Sequence, residues 1–238
     1  MIVSIHQPDY IPYLGLFYKV SCSDIFVFLD DAQYSNANVH DWNRIKTPQG
    51  EYKLKIPVDY AFGDPINQVR PKNELKWREK HLRTLEMNYA RASHFSQLFP
   101  QFSDLLMADY ASLAELNMAI SKWIFNGFEF KVEILRSSEM GLHSLREARV
   151  IDICLQLGGH KYISGHGAKA YQVEANFNAR GLTLAYTDFQ PIEYTQLWNK
   201  QCGFLKNMSV LDYIFNCGFD WQQIAEKIAA QNSRDKLP

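Results

Sequence analysis

Several common chemistries are missing from this sequence. The four cysteines, Cys22, Cys154, Cys202 and Cys217, are scattered through 238 residues and none forms a CxxC pair. A structural zinc site or a dithiol pair is therefore not expected, and each thiol reads as a small apolar gap-filler. There is no dense run of Lys or Arg, and 25 basic side chains oppose 26 acidic ones for a net charge of −1. No global field gathers nucleic acid or an anionic membrane, so neither is expected as a partner. No apolar run approaches the ~20 residues of a membrane helix. Residues 1–6 read as a strand and lack the pattern of a signal peptide. The expectation is a cytoplasmic protein with no membrane insertion. No His-x-Glu or His-Glu-x-x-His pattern occurs, so no metal is assigned. The absence of Gly-x-Ser-x-Gly disfavours an ordinary α/β-hydrolase.

What is present is apolar and periodic. Hydrophobic residues make up 47% of the chain and aromatics 14%, enough for one well-formed core. Short β-forming runs occur at Ile2–Ile5, Ile25–Leu29, Val132–Leu135, Tyr162–Ile163 and Leu182–Tyr186. Helical spacing separates most of them, at Leu14–Ser21, Glu74–Ala90, Leu105–Phe125 and Ser144–Leu157. In the last of these, Ser144 and Glu147 have capping-box spacing and Gly158-Gly159 ends the helix. Lys53–Val58 is a further strand, in a hairpin or side sheet. Alternation of this kind predicts an α/β fold, a mainly parallel sheet with helices on both faces. One domain spanning 1–238 is expected, with residues 74–126 as a helical insertion or lid, a helical C-terminus, and a frayed tail from Asn232.

In such sheets ligands bind at the carboxyl ends of the strands. Five segments are singled out on that basis. In Ile5-His6-Gln7-Pro8-Asp9-Tyr10-Ile11-Pro12, the prolines make a rigid loop, and His6 can be a base or can simply bond backbone carbonyls. In Asp30-Asp31-Ala32-Gln33-Tyr34, one carboxylate can face a ligand while the other closes an Asx turn. Asn43, Arg44 and Lys46 precede a Pro48-Gln49-Gly50 turn and suit an anion, unless the stretch is only a solvated hairpin. Ser164-Gly165-His166-Gly167 lies between a strand and a helix start, where backbone can approach an anion closely. Tyr194, Gln196, Lys206 and Ser209 form the last group, with Ser209 equally suited to capping the helix from Val210. Ser137, after the third strand, joins the binding candidates. His81, within a helical stretch, reads as a packed or surface histidine.

Taken in order, these segments resemble the WbqC-like family of bacterial surface-polysaccharide gene clusters. The likeness rests on His6-Gln7-Pro8 with Tyr10, Pro12 and Gly15, and on Asp24–Tyr34. It continues through Asn43–Gly50, Lys53–Val58, Tyr162–Gly165, Tyr194, Gln196 and Ser209–Asp212 with Asn216 and Gly218. It implies an aminoacyl (glycyl) or acyl transferase that forms an amide on an amino sugar in O-antigen and lipopolysaccharide biosynthesis. Its partners would be a sugar nucleotide and an acyl donor, free or on a carrier protein. In that reading His6, Asp30 and Asp31 are catalytic: His6 accepts the amine proton and an aspartate orients the amine. Gln7, Tyr10, Gln33, Tyr34, Asn43, Arg44, Lys46, Ser137, Ser164, Gly165, His166, Tyr194, Gln196, Lys206 and Ser209 contact substrate. A layout similar to adenylate-forming enzymes gives a second reading, a ligase that uses ATP and Mg²⁺ to activate a small amino acid. A third is a non-catalytic sugar-nucleotide-binding or assembly protein.

Overall fold

The structure, a computed structural model, describes residues 1–234. The first apolar run forms β1 (Ile2–His6), and a loop leads into α1 (Leu14–Ser21) and β2 (Ile25–Phe28). An antiparallel hairpin follows, β3 (Trp42–Thr47) with β4 (Gly50–Lys55), then a two-residue ladder of β5 (Val58–Asp59) and β6 (Arg70–Pro71). Next come α2 (Trp77–Tyr89), α3 (Phe95–Met107) and α4 (Leu113–Gly127). The alternation then resumes with β7 (Glu133–Arg136), α5 (Arg146–Gln156), β8 (Lys161–Ser164), α6 (Glu174–Asn178) and β9 (Thr183–Tyr186). The chain closes with α7 (Asn199–Cys202), α8 (Val210–Cys217) and α9 (Trp221–Arg234). The tail expected to fray from Asn232 continues as helix to Arg234, and residues 235–238 lie outside the described ones.

The five expected core strands pair in parallel in the order β7-β2-β1-β8-β9. The chain winds outward from β1 to one edge, returns, and winds to the other, so the direction of winding reverses between β1 and β8. Strand alternation sorts the core into two layers. Val3, Ile5, Ile25 and Val27 pack with Ile151, Cys154 and Phe177 of α5 and α6. Phe26 and Phe28 face the other way, where Phe125 of α4 stacks on Phe28 and meets Phe17 of α1 edge-on. The helical stretch after residue 74 thus covers this face of the sheet. Among the described residues no helix is long and apolar enough to cross a membrane.

The helical pattern at Leu105–Phe125, readable as one helix or two, belongs to two, split at residues 108–112, where Ser112 accepts from the Glu115 amide and Glu115 from the Ala111 amide. One local expectation needs correction: the capping box at Ser144 does not form. Arg146 takes a left-handed backbone, φ 55°, which turns the chain so that Ser144 caps nothing. Glu147 instead accepts from the Val173 amide and the Asn176 side chain, tying α5 to α6.

Candidate functional site

His6 is the last residue of β1, at the switch point. Its side chain is about 35% exposed, and alternation turns it towards α1. Lys19 of α1 is only 3% exposed and donates to the Ile5 carbonyl (2.9 Å) and to His6 Nδ1 (3.0 Å). On its other side, His6 Nε2 lies 3.0 Å from Asp9 Oδ2, and the second Asp9 oxygen meets His40 Nδ1 at 2.8 Å. Burial alone would raise the Asp9 pKa, but the hydrogen bonds from His40 and His6 outweigh it and hold the carboxyl well below its usual range. An ionised carboxylate only accepts, so both facing imidazole nitrogens carry hydrogen. His6 is therefore the Nε2–H tautomer, with Nδ1 accepting from Lys19. Its own pKa is lowered, first by burial and then by the Lys19 charge. The four groups form one hydrogen-bonded chain, Lys19–His6–Asp9–His40.

The loop that holds this chain is strained. Ile11, β-branched and fully buried, sits at φ 39° between Pro8 and Pro12. Such a conformation costs about 1–3 kcal/mol and persists only where neighbours enforce it. Asn43 supplies that enforcement by donating to the Tyr10 and Ile11 carbonyls (3.1 and 3.0 Å), and Asn117 of α4 clamps the Pro8 and His40 carbonyls. Tyr13 follows, more than two-fifths exposed, with its hydroxyl pKa raised by burial and by the charge of Asp9. Its ring also lines an open depression with Phe189, Tyr194, Asn207 and Met208.

On the far side of the switch point, β8 ends beside β1, and Ser4 pairs in register with Ile163. Ser164, Gly165 and His166 follow. Ser164 is buried, with its carbonyl accepting from the Thr187 amide, whereas His166 is exposed and nothing lies within 4 Å of where a Gly165 Cβ would stand. Gln7 is half-buried on the opposite lip. His6, Gln7, Ser164, Gly165 and His166 therefore sit at the carboxyl ends of the neighbouring strands β1 and β8, the place where a doubly wound sheet forms its ligand crevice.

The other candidates are placed elsewhere or are already committed. Asp30 is fully buried, and its two oxygens accept from Arg136, Ser137 and Ser138. Asp31 accepts from Ser137 Oγ at 2.5 Å and pairs with Arg149. Through these bonds the two aspartates tie the end of β2 to the end of β7 and to α5. Tyr10 is buried and donates to His81 Nδ1 (2.9 Å), because His81 Nε2–H bonds the Lys55 carbonyl. Burial pushes the His81 pKa down to about 4, as for a packed histidine. Tyr34 packs on Tyr60 and His40, and Gln33 lies exposed beside Pro65.

Asn43, Arg44 and Lys46 lie on a strand, not a loop. Arg44 pairs with Glu51 at the surface (2.8 Å). Lys46 has no exposed surface and donates to Gln196 Oε1 (2.9 Å), Asn199 Oδ1 (2.5 Å) and the Gly203 carbonyl (2.5 Å). Gln196 and Tyr194 both donate to Asp212 Oδ2 (2.7 Å each), and Tyr89 donates to Oδ1 (2.8 Å). Ser209 caps α8, accepting from the Leu211 amide. Lys46, Tyr194, Gln196 and Asp212 form a clasp that fastens the hairpin to the C-terminal segment, while Asn43 holds the loop after β1. Lys206 remains exposed, one residue from Asn207 of the depression. Sequence reading passed over Asp9, Tyr13, Lys19 and His40. The available signal was a single lysine within the apolar stretch Leu14–Val20.

No solved structure gives a significant match to the chain. An uncharacterized protein of Mycobacterium tuberculosis strain H37Rv, Rv1507c, is 29% identical over 220 residues, covering 91% of this chain and 94% of that protein. Residues 7–224 match the WbqC-like protein family, and the chain belongs to it.

Proposed function

We propose that this protein is a transferase that joins a glycyl or other acyl group to the amine of a nucleotide-linked amino sugar, in the assembly of bacterial surface polysaccharide. The observation that carries this reading is the half-open imidazole of His6, held on the Asp9 carboxylate at the winding switch of a parallel sheet. In the reaction the amine nitrogen attacks the acyl carbon and a C–N bond forms. The bond from that carbon to the donor's leaving group breaks. The amine proton passes through His6 to the leaving group. The Asp9 charge favours the imidazolium that appears in between. The Gly165 turn and Lys206 are the remaining groups suited to phosphate oxygens.

The test is turnover followed by mass spectrometry on a panel of nucleotide-linked amino sugars and acyl donors, preselected by thermal shift. His6→Ala should lose ~10²–10⁴-fold in rate with its circular dichroism unchanged. Full activity in that variant would remove His6 from the mechanism.

One observation favours a second reading, an ATP-dependent ligase that activates a small amino acid as its adenylate. The late segment Lys206–Ser209 folds back on the loop after β1, with Tyr13 bridging Ser209 and the Val210 amide donating to the Pro12 carbonyl (2.9 Å). This brings a lysine and a strained turn to the rim where doubly wound sheets take nucleotides. Pyrophosphate release that needs ATP, Mg²⁺ and glycine together would support it, and failure of ATP to bind would reject it.

A further inference from the structure

Lys19 is buried in α1 yet touches His6, whose side chain is about 35% exposed at the end of β1. It is the only basic residue of α1, set among Leu14, Leu16, Phe17 and Val20. Its ammonium has two protein partners, the Ile5 carbonyl and His6 Nδ1. The titratable groups that face the pair are Asp9, on the loop, and His40 behind it; Tyr13 faces Asp9 in turn. We infer that Lys19 is a positioning residue for His6, fixing which ring nitrogen carries the proton and holding the pair's extra proton on its own nitrogen.

The argument follows the hydrogens. A lysine that donates to Nδ1 forces the single imidazole hydrogen onto Nε2, where Asp9 needs it. A second proton on the ring would place two cations 3.0 Å apart. While Lys19 is charged, Nε2 is therefore only a donor. When Lys19 loses its proton it can accept from Nδ1–H; Nε2, now bare, must part from the Asp9 carboxylate, which only accepts, and is then free to accept from a substrate amine or hydroxyl. Burial pushes the Lys19 pKa down to about 7, partly offset by Asp9, so both forms are accessible near neutrality. This deepens the acid–base role given to His6 above and rests on it only for its consequence in turnover.

The experiment needs no substrate. Long-range proton–nitrogen NMR of the imidazoles, recorded from pH 5 to 9 on the full chain, reports tautomer and charge of His6. In the wild type below pH 7, His6 should show Nε2–H with an accepting Nδ1, and should stay uncharged well below the ordinary histidine midpoint. Lys19→Met should raise that midpoint by about one pH unit or more, the scale of a lost like charge at contact, and Lys19→Arg should keep it low. A wild-type Nδ1–H tautomer below pH 7 would overturn the inference, and so would an unmoved midpoint in Lys19→Met. If Lys19→Met does not fold, the wild-type tautomer and the arginine variant still decide. A chain that shows the expected spectra but no acyl transfer on any sugar nucleotide would reject the proposed transferase while keeping the Lys19 assignment.

Discussion

Two buried polar clusters, each with a lysine and an aspartate, differ in the group that joins the two. In the crevice, Lys19 and Asp9 are joined through His6, whose side chain is about one-third exposed. In the clasp, Lys46 and Asp212 are joined through Gln196, and lysine, glutamine and aspartate are all buried. The partners differ as well. Asp9 is bound by two imidazoles and Asp212 by two phenols and an amide, which stay neutral at physiological pH. The phenols and the amide can only hold the chain together, whereas the partly exposed imidazole of His6 can exchange a proton with a ligand.

The comparison is broken most severely by Asp212→Ala. It strips the Tyr89 and Tyr194 hydroxyl hydrogens of their acceptor, removes one of the Gln196 amide's bonds, and takes away the carboxylate nearest Lys46. The expected loss is about 3–5 kcal/mol, read as a lower urea midpoint with an unchanged slope. Asp9→Ala should cost less, about 1–3 kcal/mol, because His6 can turn to water and only His40 is stranded. Equal losses in the two variants would mean that the crevice is a structural clasp too.

Acidity separates the same two aspartates by sign. Asp9 is depressed in the folded protein, so its stabilisation is present above the unfolded carboxyl pKa and is lost as pH falls towards the folded value. Asp212 is raised, since burial outweighs the bonds from Tyr194, Tyr89 and Gln196. Its contribution is greatest below the unfolded pKa and declines as pH rises through the folded one. Urea melts from pH 2.5 to 7 should therefore show Asp9→Asn flattening the loss of stability on the acid side. Asp212→Asn should instead relieve a penalty that grows towards neutral pH. The same sign of change in both variants would contradict the opposed shifts.

These contrasts also explain what could be read from the sequence. The five core strands were legible because buried parallel strands are nearly continuous apolar runs, and the winding rule then directed attention to His6 and Ser164. Lys46, Gln196 and Asp30 carry the same chemical groups as a binding site, and nothing local distinguishes a lysine aimed at a phosphate from one aimed at Gly203 O. That difference lies in contacts across 150 residues and more. Asp9 was inside the first motif but went unchosen, because its partner His40 lies 31 residues away. Lys19 pairs 13 residues back, and its hint was the cost of burying a lone cation in an apolar helix.

The mildest way to sharpen the comparison is Gly15→Ala, which touches the crevice and leaves the clasp alone. The Tyr13 ring folds over Gly15, and a Cβ there would stand 2.6 Å from the ring Cζ, so the ring must swing away. Tyr13 is more than two-fifths exposed and free to move, and alanine gains about 0.5–1 kcal/mol over glycine within a helix. Net stability should change by less than about 1 kcal/mol. The displaced ring no longer lines the depression, so a ligand that binds there and raises the wild-type melting point should raise the variant's less, by a weaker binding constant at fixed concentration. An unchanged ligand shift would place the binding surface on the Gly165 side of the switch point and leave Tyr13 as packing.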